Sequence, residues 1–119
     1  MEKKKVLVVD DTSETRELLG EIVQVFSDSV VIYASGGHQA FEIIKHNRFD
    51  LILSDLEMPS GFGFSLLSNI KTLLDAPPFV LVSGRIDLTF DQVIAKGANG
   101  FVQKPFNLAT IQAVLTKYL

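Results

Sequence analysis

Five short runs of apolar residues recur along the chain, and the longer stretches after them return to apolar positions every three or four residues. The runs are Val6-Leu7-Val8-Val9, Val30-Val31-Ile32-Tyr33, Leu51-Ile52-Leu53, Phe79-Val80-Leu81-Val82 and Phe101-Val102. Each has strand length, is mostly β-branched or aromatic, and is bounded by charge or by Gly and Pro. Continuous rather than alternating hydrophobicity predicts strands covered on both faces, as in a parallel sheet. Between them, Leu18, Leu19, Ile22, Val23 and Phe26 form one helical stripe, with Glu14, Glu17 and Glu21 off it. Ala40, Phe41, Ile43 and Ile44 predict a second helix that frays at His46-Asn47. Leu66, Leu67, Ile70, Leu73 and Leu74 predict a third, stopped by Pro77-Pro78. A fourth is expected around Asp87 to Lys96, ending at Gly97. The fifth carries Leu108, Ile111 and Leu115 and runs to the last residue.

Five repeats of strand then helix, joined by right-handed crossovers, predict an α/β fold with helices on both faces of the sheet. A closed barrel would need eight such units and roughly 250 residues. The chain has 119, so an open doubly wound sheet in a single domain, residues 1–119, is the expected architecture. Composition changes this picture little. Hydrophobic residues make up 47% and charged residues 21%, the balance of an ordinary globular protein. The absence of cysteine excludes disulfides, thiolate catalysis and cysteine metal sites together. A net charge of −3 argues against a nucleic-acid partner. The one basic run, Lys3-Lys4-Lys5, reads as a solvated strand entry. No apolar run approaches the ~20 residues of a membrane helix, and no signal-peptide core precedes the first strand. A cytoplasmic location without a membrane partner is therefore expected. The last helix reaches Leu119 without a linker, so the chain is either a stand-alone protein or one unit of a longer one.

Open parallel sheets bind ligands beyond the carboxyl ends of their strands, which directs attention to the residues after each apolar run. The first is followed by Asp10 and Asp11, the third by Ser54-Asp55, the fourth by Ser83-Gly84 and the fifth by Gln103-Lys104-Pro105. Three carboxylates, a hydroxyl and an ammonium are thus expected at one edge. Three like charges in one place raise one another's pKa unless compensated. One hard divalent cation and Lys104 would balance them. An all-oxygen donor set suits Mg²⁺ better than Zn²⁺, with Mn²⁺ also possible. His38 and His46 are expected on the surface, away from this edge. A site of this kind can take a phosphoryl group onto Asp55 by carboxylate attack, a reaction that asks mainly for positioning and charge neutralisation.

In order and spacing, Val8-Val9-Asp10-Asp11, Asp55-Leu56-Glu57-Met58-Pro59 with Gly63, Ser83-Gly84 and Lys104-Pro105-Phe106 resemble the receiver domains of bacterial response regulators in two-component signalling. The resemblance implies a flavodoxin-like five-stranded sheet of order 2-1-3-4-5 with five helices. It implies Asp55 as phosphoacceptor and Mg²⁺ held by Asp11, Asp55 and the main-chain carbonyl of Glu57, with Asp10 acting largely through water. Ser83 and Lys104 would hold phosphoryl oxygens, Phe101 would be the aromatic switch residue, and the Lys104-Pro105 bond would be cis. Met58-Pro59 with Gly61 and Gly63 would turn the chain into the third helix. The implied partners are a sensor histidine kinase or histidine phosphotransfer protein, and a downstream protein reading the face of helix 4, strand 5 and helix 5. Asp91, Gln92, Lys96, Gln103 and Gln112 lie on that expected face.

Several positions depart from the family pattern. Ser83 stands where Thr is commoner, Gly84 where Ala is frequent, and Phe101 where Tyr is common; Phe62 replaces a frequent Asp or Asn. Glu57 and Arg85 occupy the variable positions two residues beyond Asp55 and Ser83. They are candidates for setting the phosphoryl lifetime, by pairing across the site mouth. Two other functions fit less well. A haloacid-dehalogenase-type phosphatase would carry its nucleophile after the first strand, where this chain has the acidic pair. A flavin-binding module needs a hydroxyl-rich phosphate loop there, and Asp10 and Asp11 would repel its ligand.

Overall fold

A computed structural model describes residues 3–56 and 63–119. Glu57 and the expected turn through Met58, Pro59, Gly61 and Phe62 lie outside the described residues. Strands and helices alternate: β1 (Lys4–Val9), α1 (Ser13–Phe26), β2 (Ser29–Ala34), α2 (Gly37–His46), β3 (Leu51–Asp55), α3 (Gly63–Lys71), β4 (Phe79–Ser83), α4 (Phe90–Ala95), β5 (Gly100–Gln103) and α5 (Leu108–Tyr118). The five strands pair in parallel in the order β2-β1-β3-β4-β5.

Successive side chains on a strand point to opposite faces, and here both faces are apolar. Val6, Val8, Leu51, Leu53, Val80, Val82 and Val102 pack with Leu19, Ile22 and Val23 of α1 and Ile111 and Leu115 of α5. Leu7, Val9, Ile52, Phe79 and Leu81 pack on the other face with Ala40 and Ile44 of α2, Leu66, Leu67 and Ile70 of α3, and Val93 of α4. Two cores clamp one sheet, and the strand ends are held where these layers put them.

The helices differ from the periodicity reading in four places. On α1 the buried stripe is Leu19, Ile22 and Val23, while Leu18 is 48% exposed and Phe26 also reaches solvent. α3 ends at Lys71, well before the prolines: the Thr72 N–H and hydroxyl both donate to the Asn69 carbonyl, and Asp75 takes a left-handed φ of 57°. That leaves Leu74 94% exposed rather than in the core. α4 starts at Phe90, not near Asp87, because Thr89 is extended and forms a reciprocal capping box with Gln92. On α5, Leu108 is exposed at the first turn, and Asn107 caps the helix by accepting from the Thr110 N–H.

One glycine fixes how α3 meets the sheet. The Gly63 N–H donates to the Leu56 carbonyl at 2.6 Å, and a Cβ at Gly63 would stand 2.4 Å from the Asp55 carbonyl oxygen and 2.9 Å from the Leu56 Cα. Those are backbone atoms, so the clash cannot be relieved by a rotamer change. Gly63→Ala is expected to cost about 1–3 kcal/mol, the range for overpacking a tight site, and to move the end of β3. Urea unfolding measures the cost; an unchanged midpoint would refute the packing role.

Candidate functional site

The carboxyl ends of β1, β3, β4 and β5 bring the expected residues together, and register does most of that work. Val9 pairs with Ser54, Asp55 with Val82, and Ser83 with Gln103. The ladder continues one step further, because the Lys104 N–H donates to the Ser83 carbonyl at 2.8 Å. Asp10 follows β1, and its N–H is fixed by the Ala34 carbonyl of β2 at 3.1 Å. Asp10 is fully buried, Asp11 is exposed, and Asp55 is half-buried at the end of β3. One carboxylate oxygen from each of the three lies within 4.8 Å of the others.

Lys104 supplies the compensating charge. Its ammonium donates to Asp10 Oδ2 at 3.0 Å and stands 3.5 Å from Asp55 Oδ1. The Asp10 and Asp55 side chains are only 1% and 12% exposed, so their repulsion is poorly screened. Burial pushes the Asp55 carboxyl above the ordinary range; Asp10 adds to the rise, while Lys104 and the Leu56 N–H, which donates to Oδ1 at 2.8 Å, oppose it. The other Asp10 oxygen, Oδ1, accepts from the Thr12 N–H at 2.9 Å. Arg16 Nη1 donates to the Asp10 carbonyl at 2.9 Å, tying the acidic loop back onto α1.

Ser83, also buried, holds its hydroxyl at the end of β4, where Oγ accepts from the Arg85 N–H at 3.2 Å. Asp55, Ser83, Gly84 and Arg85 together line an open cavity of about 360 Å³. A methyl group at Gly84 would meet only Lys104 Cβ, at an ordinary 3.8 Å. Phe101 is half-buried and packs against the core shared with α3 and α4. The Lys104-Pro105 bond is cis.

The donor set suits a hard divalent cation: three carboxylates from two strand ends, all oxygen, with one ammonium already at the rim. Among the described residues, no histidine joins this cluster. Two contacts at the site were not foreseen from sequence. One is Arg16 on the Asp10 carbonyl; the other is a two-point pairing of Arg85 with Asp87. Asp87 follows Arg85 by two residues, and opposite charges so placed in a loop were the available signal. The expected pairing of Arg85 with Glu57 involves a residue outside those described.

The model of the response regulator receiver domain matches residues 6–116. The chain belongs to that family. It is 28% identical over its whole length to the transcriptional regulatory protein YvrH of Bacillus subtilis, and spans 50% of that protein. Chemotaxis response regulator CheY4 of Vibrio cholerae is 29% identical and superposes with a TM-score of 0.82, covering 99% of this chain and 100% of its own. The receiver domain of sensor histidine kinase PA1611 from Pseudomonas aeruginosa PAO1, solved with magnesium coordinated in its active-site cleft, superposes with a TM-score of 0.88 at 21% identity, covering 98% of both chains. Receiver domains are phosphorylation-dependent signalling switches of two-component systems, not conventional turnover enzymes, and interact with histidine kinases or phosphotransfer proteins. The open flavodoxin-like sheet of order 2-1-3-4-5 is shared with these structures. Among the described residues, no helix is long and apolar enough to cross a membrane.

The buried charges lead to two stability predictions. Lys104→Met leaves Asp10 and Asp55 facing each other without a cation, and should cost about 3 kcal/mol in chelator, as breaking a largely buried pair does; a loss no larger than at a surface lysine would contradict the bridging role. Because the folded state favours protonated Asp55, metal-free stability falls as pH rises from the ordinary carboxylate range through the raised value, and stays lower above it. Asp55→Asn should therefore raise Tm by about 2–5 °C at pH 7 and by less at a pH below the ordinary carboxylate range, where the Asp55 carboxyl takes up its proton. An equal gain at both pH values would overturn the assignment.

Proposed function

We propose that Asp55 accepts a phosphoryl group from a sensor histidine kinase or histidine phosphotransfer protein, and that the modified chain signals by a change of conformation. One observation carries this reading: three carboxylates converge at one sheet edge, with Lys104 spanning two of them and the Ser83 hydroxyl on the adjacent strand. The carboxylates carry −3 and Lys104 +1, so a divalent cation brings the site near neutrality before an anionic group enters. Asp10, Asp11, Asp55 and the Glu57 carbonyl would hold Mg²⁺, or Mn²⁺ in its place. Such an ion, when bound, supplies charge neutralisation for the phosphoryl oxygens.

This chain's own groups do the rest. An Asp55 oxygen forms a bond to phosphorus as the phosphorus–nitrogen bond of the donor breaks, and the electron pair returns to the imidazole nitrogen. Lys104 and Ser83 hold phosphoryl oxygens through the ammonium and hydroxyl. Hydrolysis reverses the modification: water forms a bond to phosphorus, the bond to Asp55 breaks, and phosphate leaves with the proton. Glu57 and Arg85, two residues beyond Asp55 and Ser83 in sequence, are the residues proposed to set how fast water does this. Ser83 and Phe101 would repack on phosphorylation, and α4, β5 and α5 would present the altered face to a downstream protein. Residues 1–119 would act as one receiver unit, in the cytoplasm, without nucleic-acid contact of their own. The likeness to CheY4 at 29% identity across all of that chain supports a switch of this size.

Incubation with acetyl phosphate and Mg²⁺, followed by intact-protein mass spectrometry, tests the reading. The expected result is a single added phosphoryl group that requires the metal and is lost in Asp55→Asn. Label that persists in that variant, or steady turnover of a small phosphomonoester, would count against it.

A further inference from the structure

The loop after β4 carries a cation that a nearby carboxylate grips at two points. Arg85 lines the cavity that also exposes Asp55 and Ser83, and its N–H is bonded to Ser83 Oγ. Its guanidinium is drawn into a two-point fork by Asp87: Nε donates to Oδ1 at 2.9 Å, and Nη2 donates to Oδ2. The residues are two apart in an irregular segment that ends at the Thr89 cap of α4, so no helix geometry imposes the pairing. The Arg85 and Asp87 side chains are 43% and 60% exposed. Ile86 between them is almost fully exposed, so the segment has no side-chain anchor at that point. Arg85 also holds the Asp87 carboxyl below the ordinary range, chiefly through this hydrogen bond.

A solvent-exposed fork of this kind yields readily to a stronger anion. A phosphoryl group on Asp55 would be that anion, because it replaces the single carboxylate charge of Asp55 with about two on phosphoryl oxygens, and guanidinium matches phosphate geometry as well as it matches carboxylate. Among the described residues, Asp87 and the phosphoryl group would then compete for one planar cation.

We propose that Asp87 is a latch on Arg85: it parks the guanidinium at the cavity wall, and the phosphoryl group on Asp55 competes it away. The inference rests on Asp55 being the phosphoacceptor. The exchange moves no covalent bond. Arg85 leaves the carboxylate for phosphoryl oxygens, and once there it obstructs the approach of water to phosphorus. The strength of the Arg85–Asp87 fork thereby sets the lifetime of the modified state, and Asp87 controls hydrolysis without touching the reacting atoms.

The test phosphorylates the full chain with acetyl phosphate and Mg²⁺, removes the donor, and follows loss of the acyl phosphate by ³¹P NMR. Asp87→Asn should lengthen the lifetime by about 2–5-fold and Arg85→Gln should shorten it by a similar factor, the scale expected for an exposed pair. The double variant should match Arg85→Gln alone, because Asp87 acts only through Arg85. An independent readout is the Arg85 Nε–H resonance, expected to shift on phosphorylation of the unaltered chain. An Asp87→Asn effect that survives in the Arg85→Gln background, no effect of Asp87→Asn, or an unmoved Nε–H resonance would each overturn the latch. Failure of the unaltered chain to take any label would instead overturn the acceptor assignment, so the two failures are told apart.

Discussion

Lys104 has to reach past β4 to meet Asp55 on β3 and Asp10 on β1, and much of this molecule is arranged so that it can. Two buried carboxylates at neighbouring strand ends are costly to desolvate and repel each other. A cation placed between them offsets that cost only if its backbone is held. The Lys104 N–H is bonded to the Ser83 carbonyl, one step beyond the last residue of β5. The same bond orders the residue that carries the Ser83 hydroxyl, so the ammonium and the hydroxyl are located by one contact. Neutralisation is incomplete, because three carboxylates meet one ammonium, and burial together with the Asp10 charge keeps the Asp55 carboxyl above its ordinary range. That remainder suits the edge to a divalent cation.

The strand ends were legible in sequence because a doubly covered sheet imposes a simple requirement. Its strands must be largely apolar, and the polar residues that follow each run mark where the chain emerges, within a residue or two. Asp10, Asp55, Ser83 and Lys104 could be located in this way before strand order was known. The order itself came from family resemblance, since hydrophobicity does not say which strand lies beside which. Helix ends were less legible. Leu73 and Leu74 continue the spacing of α3, yet the chain leaves the helix where Thr72 turns its hydroxyl and N–H onto Asn69. A local hydrogen bond of this type competes with the helix and leaves no mark on apolar periodicity. The start of α4 was readable in principle, because Thr89 and Gln92 have the spacing of a capping box.

Side-chain pairings at the site mouth were only partly legible, for a different reason: the spacing of Arg85 and Asp87 was a signal, but it did not single out a partner. Arg85 has acidic neighbours in sequence and across the site, and residue type does not select among them. The Asp87 fork depends on the backbone path of residues 84–89, which is set by the late start of α4. Missing that start and missing the fork were therefore one error. Gly63 shows the converse case: its place in the family motif was readable, but the reason emerges only when its missing Cβ is seen to make room for the Asp55 carbonyl.

The two ends of the proposed switch differ in how firmly they are held. On the β1 side, the acidic loop is bonded to Ala34, Thr12 and Arg16, and α1 buries Leu19, Ile22 and Val23 behind it. On the β4 side, burial stops at Ser83 and residues 84–87 run exposed, and α4 is six residues long with Val93 as its one buried side chain. Local opening is easiest where few apolar contacts must be lost. New charge on Asp55 acts on both sides alike, so the side that moves is decided by the resistance each offers. This favours α4 and the adjoining β5 and α5 surface as the output. Arg85 stands where the rigid strand end gives way to the loose segment, and a change in its partner would be felt on both.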